Sequence, residues 1–245
     1  MNQNTSRVLS FDGGGARGYI SICFLEKIIK HPDLKMTEQE FINSFDVIAG
    51  TSIGGIIALS LSFGLSIKEV KVFFTEKAKR IFTTQSLYEI FTKSTDAKKD
   101  SYSPSKFRKL IMIANGFSFY ESRSSQSNYG SALLYQILID IFGNSTLKDL
   151  KKPIVIPAYQ KNTNKVIFFS NVDNELYTGR NTRIADVACA TSAAPMYFPP
   201  YSFDGNTYID GGIFCNNPTL IAISLVKSIK IYSKKLCILS IGTGI

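Results

Sequence analysis

The chain has 245 residues, with 28 Lys and Arg against 19 Asp and Glu and a formal net charge of +9. That length holds one large domain or two small ones, and 44% hydrophobic with 19% charged residues allows a sizeable core and excludes a disordered chain. Cys23, Cys189, Cys215 and Cys237 lack metal-type spacing and read as reduced core thiols, and a single histidine excludes a His-rich metal centre.

Residues 1–7 are polar and show no standard secretory signal. The longest apolar run, 53–65, is broken by Gly and Ser and is too short to span a bilayer. The positive charge favours anionic surfaces, lipid or nucleic acid, and charge alone does not choose between them.

In chain order, residues 7–11 read as a first strand, followed by Asp12-Gly13-Gly14-Gly15-Ala16-Arg17-Gly18 and a helix over 19–30. Thr37 to Glu40 has the pattern of a capping box and opens a short helix. Val47-Ile48-Ala49 is a short apolar strand, and 53–63 a strongly apolar helix. Ser66 to Glu69 is a second capping box, opening a helix through residue 82. That helix has an apolar stripe, Val70, Phe73, Phe74, Ala78, Ile81 and Phe82, and a basic side with Lys71, Lys77, Lys79 and Arg80. It reads either as a core-facing helix with a solvated basic side or as a membrane-surface helix.

Residues 91–128 are irregular and read as an insertion over the sheet, with a helix over 107–113 started by Ser103-Pro104. Then come a helix over 131–142, a hairpin of strands 153–159 and 166–170, and a helix from 183 to 191 capped by Thr182. An aromatic-Pro loop, Met196-Tyr197-Phe198-Pro199-Pro200, precedes a strand over 203–209 with a turn at Asp204-Gly205-Asn206. Asp210-Gly211-Gly212, a helix opened by Pro218 and a last strand over 236–241 complete the chain. No linker divides it, so residues 1–245 form one domain.

Two loops carry chemistry. Gly50-Thr51-Ser52-Ile53-Gly54 matches G-x-S-x-G between a strand and a helix, the setting of a nucleophile elbow. The two glycines leave room for a strained turn, and Ser52 stands at a helix N-terminus, where developing negative charge is favoured. The bland alternative is a Gly-rich turn with a capping Ser. In the earlier loop, Gly13, Gly15 and Gly18 satisfy G-x-G-x-x-G, the dinucleotide fingerprint. The second strand ends in Gly50-Thr51-Ser52, with no carboxylate for a ribose. The amides of this loop then read as donors to an oxyanion, with Arg17 adding positive charge or serving as an ordinary surface arginine. A non-catalytic lipid- or nucleotide-binding module using the 13–18 loop remains the alternative.

A serine needs a base. His31 precedes Ser52 in the chain, unlike the Ser, acid, His order of α/β-hydrolases. A carboxylate acting directly is the other route, and Asp210 is the candidate: it closes a strand and is followed by two glycines. Its alternative role is a turn or cap Asp.

Four motifs, Asp12 to Gly18, Gly50 to Gly54, Ala190-Thr191-Ser192-Ala193-Ala194-Pro195 and Asp210-Gly211-Gly212, follow one another as in the patatin-like phospholipases, which the chain resembles over essentially its whole length. The resemblance implies a three-layer α/β/α sandwich with a mainly parallel central sheet. It implies a Ser52–Asp210 dyad and an oxyanion hole from Gly13, Gly14 and Gly15 beside Arg17. Gly18, Gly50, Gly54, Gly211 and Gly212 then serve as motif glycines. It also implies hydrolysis of glycerophospholipid acyl esters without metal or other cofactor. A phospholipid surface is the expected partner, with no nucleic acid and with a protein activator unidentified. The expected location is cytoplasmic with peripheral membrane association, or that of an effector exported without a standard signal. Family members commonly continue with more helix beyond the last strand, so either a truncated C-terminal end or a missing part supplied elsewhere is expected.

Overall fold

The structure, a computed structural model, describes residues 5–77, 128–229 and 235–244. The expected insertion up to residue 127, with its helix over 107–113, and the basic helix beyond residue 77, with Lys79 and Arg80, lie outside these residues.

The strands are β1 (Thr5–Phe11), β2 (Val47–Gly50), β3 (Ile154–Gln160), β4 (Lys165–Phe169), β5 (Tyr201–Phe203), β6 (Asn206–Asp210) and β7 (Lys235–Ile241). The α-helices among the described residues are α1 (Gly18–Ile29), α2 (Glu38–Asn43), α3 (Ile53–Phe63), α4 (Ile67–Val72), α5 (Asn128–Phe142), α6 (Ile184–Thr191) and α7 (Thr219–Ser228). The sheet runs β5-β6-β3-β2-β1-β7, with β4 also on β3. β7, β1, β2 and β3 are parallel neighbours, and β4, β6 and β5 join antiparallel.

The apolar runs of the inner strands have partners on both faces, as parallel sheets require. Leu9, Phe11, Ile48, Ile154 and Ile156 pack in one core with residues of α1, α3, α5 and α6. Val8, Val47, Ala49 and Val155 point the other way, onto Ala222, Leu225 and Val226 of α7. This is the expected three-layer sandwich.

One feature of the sheet positions the site. Backbone groups of successive strand residues point to opposite edges. Ile48 donates its N–H to the Pro153 carbonyl at the start of β3, and Lys161, just beyond its end, donates to the Thr207 carbonyl. The Ile154 N–H is taken by the Asn171 side chain on the other, β4 edge, at 3.0 Å. β2 and β6 therefore lie along the same edge of β3, one parallel and one antiparallel, with their C-terminal ends facing. Ala49 stands opposite Val155, and Asp210 opposite Ala158. Between them falls Pro157, which has no N–H to offer either strand.

Both capping boxes form as expected, Thr37 with Glu40 and Ser66 with Glu69. The hairpin turn at Asp204 and Gly205 has φ of 48° and 73°, the pair of positive values that a two-residue type I′ loop needs. Three expectations are corrected. Arg183, not Thr182, occupies the N-cap of α6, without a side-chain bond. Of the four thiols only Cys189 is buried; Cys237 is exposed because β7 forms the sheet's outer edge. The segment after Ser66 is α-helical only to Val72 and then widens to a π turn over Phe73–Lys77. Its Val70, Phe73 and Phe74 are buried, and Lys71 is held by Glu26 at 2.7 Å and lies over the Tyr19 ring. That is the core-facing arrangement, with Lys71 already neutralised.

Ser66→Ala removes the cap that accepts from Glu69 N–H at 3.2 Å. It should cost about 1 kcal/mol, seen as a lowered melting temperature, and leave any activity of the chain unchanged.

Candidate active site

Ser52 follows β2 and caps α3 with φ 55° and ψ −125°, a conformation sparsely populated by non-glycine residues. The turn is so tight that a Cβ on Gly50 would strike the Gly54 carbonyl, and one on Gly54 would lie 2.5 Å from the Phe11 carbonyl oxygen. Glycine at both flanks is thus a matter of backbone contact.

Three bonds hold the turn. Thr51 N–H donates to the Phe11 carbonyl at 3.2 Å. The Thr51 hydroxyl donates to the Cys215 carbonyl at 2.7 Å. Ser52 N–H donates to the Thr191 hydroxyl at 3.0 Å, which in turn donates to the Pro157 carbonyl at 2.6 Å. Thr191, at the end of α6, thereby bridges the gap that β2 and β6 leave beside β3.

Across that gap the Ser52 hydroxyl donates to Asp210 Oδ2 at 2.6 Å. The other carboxylate oxygen, Oδ1, accepts from Gly212 N–H at 2.6 Å. The Asp210 N–H is anchored on the Ala193 carbonyl at 3.0 Å. Asp210 is 6% exposed, while Ser52 is only half-buried and open to a substrate. Burial pushes the Asp210 carboxyl up to about 6, against the opposing effect of the Ser52 and Gly212 hydrogen bonds. Gly211 backs onto the Pro157 carbonyl, leaving no space for a side chain.

The glycine loop lies against the elbow: a Cβ on Gly13 would be 3.4 Å from Ser52 Cβ, and Gly18 packs on Ile53. The Gly13 N–H is already engaged, donating to the Asn216 carbonyl at 3.1 Å. Among the described residues, nothing accepts from the N–H of Gly14 or Gly15. The expected trio of amides is thus reduced to two free ones. Where a dinucleotide phosphate would approach Gly13 and Gly14, the side chains of Asn216 and Thr243 stand instead. Arg17 is exposed, in the 3₁₀ turn Gly15–Arg17.

His31 is not part of the site. It sits in an exposed turn after α1, with Nδ1 3.6 Å from Asp33 Oδ2. A groove of about 460 Å³ between α1 and α4, lined by Glu26, Lys30 and Lys71, holds the two ion pairs of Glu26 and none of the Ser52 constellation. The sequence reading missed Asn216, Asn217 and Thr243, and gave Thr191 no role. Asn217 ties Asp12 to Ser240, at 2.8 and 3.0 Å. The available signal was an Asn-Asn-Pro run two residues after the Asp210 turn region, where caps are the ordinary reading.

A family model described as Patatin-like phospholipase matches residues 9–223. A cGAMP-activated phospholipase of Vibrio cholerae is 35% identical over 231 residues, 90% of this chain and 58% of that protein. Its namesake from Escherichia coli is 35% identical over 252 residues, 97% of this chain and 62% of that protein. Patatin-like protein 2 of Arabidopsis thaliana is 29% identical over 242 residues, 91% of this chain and 53% of that protein. The chain thus spans between half and two thirds of the length of these relatives.

A buried carboxyl at about 6, against an unfolded 3.8, binds its proton more tightly when folded. Between those values stability falls as pH rises, and above about 6 the buried charge exacts its full cost, roughly 3 kcal/mol from about two pH units. Asp210→Asn should therefore raise the melting temperature at pH 8 and have little effect near pH 4. Melting curves across that range decide it; an Asn variant that is less stable at pH 8 would contradict the burial argument.

Proposed function

Because the chain belongs to the patatin-like phospholipase family, we propose that it is a lipid acyl hydrolase of the phospholipase A type, with Ser52 as nucleophile and Asp210 as its base. The observation that carries this reading is the 2.6 Å hydrogen bond from the Ser52 hydroxyl to a buried carboxylate. The glycine-framed strain at Ser52 supports it too, since that turn lifts the hydroxyl out of the strand toward solvent.

The chemistry follows from the geometry. Ser52 Oγ attacks the ester carbonyl while its proton passes to Asp210 Oδ2. The negative charge on the former carbonyl oxygen is met by the free amides of Gly14 and Gly15 and by the N-terminus of α3. The tetrahedral intermediate collapses, the C–O bond of the leaving alcohol breaks, and Asp210 returns the proton to that alcohol. An acyl-enzyme remains. Water then repeats the sequence: its proton goes to Asp210, its oxygen to the acyl carbon, and Ser52 Oγ leaves with the proton. A carboxyl near 6 is mostly ionised at pH 7 and still basic enough to accept, which is what a general base requires. Gly212 N–H holds Oδ1, so Oδ2 stays aimed at Ser52.

The substrate is a lipid, so the site must meet an interface. Phe214, four residues after Asp210, is 64% exposed, and Met196 and Tyr197, which follow the Ala193 anchor, are about half exposed. Ile20 and Phe24 stand exposed on α1, just beyond the glycine loop. These side chains, rather than the helix that carries Lys71, form the proposed contact with lipid, and peripheral membrane association follows from them. The relatives' names make cGAMP a candidate activator, so the assay is run with and without it.

Ser52→Ala should abolish labelling by a fluorophosphonate and hydrolysis of phospholipid. Asp210→Asn should lower turnover by about 10³-fold or more, and His31→Ala should leave it unchanged. Wild-type turnover should rise with pH through about 6 as Asp210 ionises. Labelling that survives Ser52→Ala, or activity lost in a folded His31→Ala, overturns the dyad.

Phe214→Glu should depress hydrolysis of vesicle phospholipid more than hydrolysis of a short soluble ester. An equal loss on both would assign Phe214 to the folded core of the site instead of the interface.

A further inference from the structure

We infer that Asn216 and Thr243 are positioning residues that hold the Gly13–Gly14 peptide with its N–H turned toward the oxyanion. The inference rests on the hydrolase reading and adds to it two residues from the far end of the chain.

A peptide flanked by glycines has little of its own to stop it rotating, because neither neighbour has a Cβ to restrict φ and ψ. Here two side chains act on it, and the peptide before it is fixed as well. Gly13 N–H donates to the Asn216 backbone carbonyl at 3.1 Å. Asn216 Nδ2 donates to the Gly13 carbonyl at 3.4 Å. The Thr243 hydroxyl, on a residue that is 7% exposed, donates to the same carbonyl at 3.4 Å. The Gly13 carbonyl and the Gly14 N–H belong to one planar trans peptide and point in opposite directions. Pinning the carbonyl on Asn216 and Thr243 therefore aims the Gly14 N–H away from them, and that N–H has no acceptor among the described residues.

Each side-chain bond is long on its own. Two donors on one carbonyl hold it where one would let it rock, and both polarise the peptide and strengthen its N–H as a donor. Catalytic hydrogen bonds also tighten when the charge they serve appears.

The packing agrees. A Cβ on Gly14 would strike the Thr243 side chain, so Thr243 is the floor of the loop. Asn216 Oδ1 lies 2.5 Å from a Cβ placed on Gly13 and 3.2 Å from one placed on Gly212. Asn216 is thus wedged between the oxyanion loop and the loop that carries Asp210, and it sets their separation.

The test separates aim from architecture. Thr243→Val keeps the shape and removes the donor, and Thr243→Ser keeps the donor. Asn216→Asp keeps the shape and replaces the donating nitrogen by an acceptor. On a short soluble ester, Thr243→Val and Asn216→Asp should each lower kcat about tenfold. The double variant should lose about 10²-fold or more, the scale of one oxyanion donor. KM should stay within about twofold. Affinity for a trifluoromethyl ketone, whose hemiketal carries the oxyanion, should fall in step with kcat. Thr243→Ser should restore both.

A merely structural role would lower the melting temperature and the active fraction titrated by fluorophosphonate, without the parallel loss of ketone affinity, and would overturn the inference. So would wild-type kcat in both single variants. A wild type that neither turns over ester nor takes the fluorophosphonate would overturn the hydrolase reading itself and this inference with it.

Discussion

The site depends on an interruption. Along one edge of β3 the ladder begins with β2 and resumes with β6, and at the break stands Pro157, a residue with no N–H to pair. Two strand ends that approach head to head bring what closes or follows them into the same small space, here Asp210 at the end of β6 and Ser52 in the turn just after β2. Had β2 continued past Gly50, its register would have carried Ser52 to Ala158, the place on β3 that Asp210 occupies, so the two strands cannot both run on. Thr191 answers the Pro157 carbonyl in the gap with its hydroxyl hydrogen, and with a lone pair takes the Ser52 N–H. The break is thus satisfied in hydrogen bonds without being filled.

Such an arrangement stores unfavourable energy in two places. Ser52 is held at positive φ, worth about 1–3 kcal/mol for a non-glycine residue. Asp210 carries a charge where burial opposes one. Both are sustained by what surrounds them. α3 is apolar nearly all round and buried along its length, so the helix that Ser52 caps cannot shift to relieve the turn. The Gly212 amide and the Ser52 hydroxyl lower the cost of the carboxylate without abolishing it. Strain and desolvation therefore sit on the two atoms that the proposed chemistry uses, and the core on both faces of the sheet supplies the rigidity that keeps them there.

What was legible in the sequence was local. G-x-S-x-G between an apolar strand and an apolar helix announced the elbow, and Asp204-Gly205 announced the hairpin that delivers Asp210. Each capping box was complete within four residues. What was not legible was held by partners far away in the chain. Thr191 meets Ser52 across 139 residues, Asn216 meets Gly13 across 203, and Thr243 meets Gly13 across 230. The Asn-Asn-Pro run around Asn216 reads as an ordinary cap and nothing local marks Thr243, because their environment is made by the sheet order. The same holds for Cys237, apolar in its sequence setting yet placed on an outer strand. It holds for Lys71, whose charge is answered by a Glu26 that is 45 residues away. The Gly13 amide shows the limit from the other side: a glycine motif tells where backbone donors lie, and only the fold tells which of them are already in use.

The division of labour between the two ends of the chain follows from the same topology. The proposed nucleophile and the glycine loop come from the first 55 residues, with β1 and β2 side by side in parallel register. The proposed base closes β6, its Gly212 clamp and Asn216 follow in the next turn region, and Thr243 comes from just beyond β7, which pairs with β1 on the opposite side from β2. The glycine loop therefore leaves the sheet between two parallel neighbours, one delivering Ser52 and the other Thr243. Asp12 N–H donates to the Ile241 carbonyl, and Thr51 N–H to the Phe11 carbonyl, so the three strand ends are laced at one level. This is the carboxyl end of the parallel strands, where open α/β sheets leave a crevice for ligands. Neither end of the chain has a complete site. An N-terminal portion folded alone would have Ser52 without Asp210 and a Gly13–Gly14 peptide free to turn. Ester hydrolysis, on this reading, begins only once β6 has reached β3 and β7 has reached β1; the β1–β7 pairing is the longest-range in the sheet and, by its loop-closure cost, the expected last step of folding.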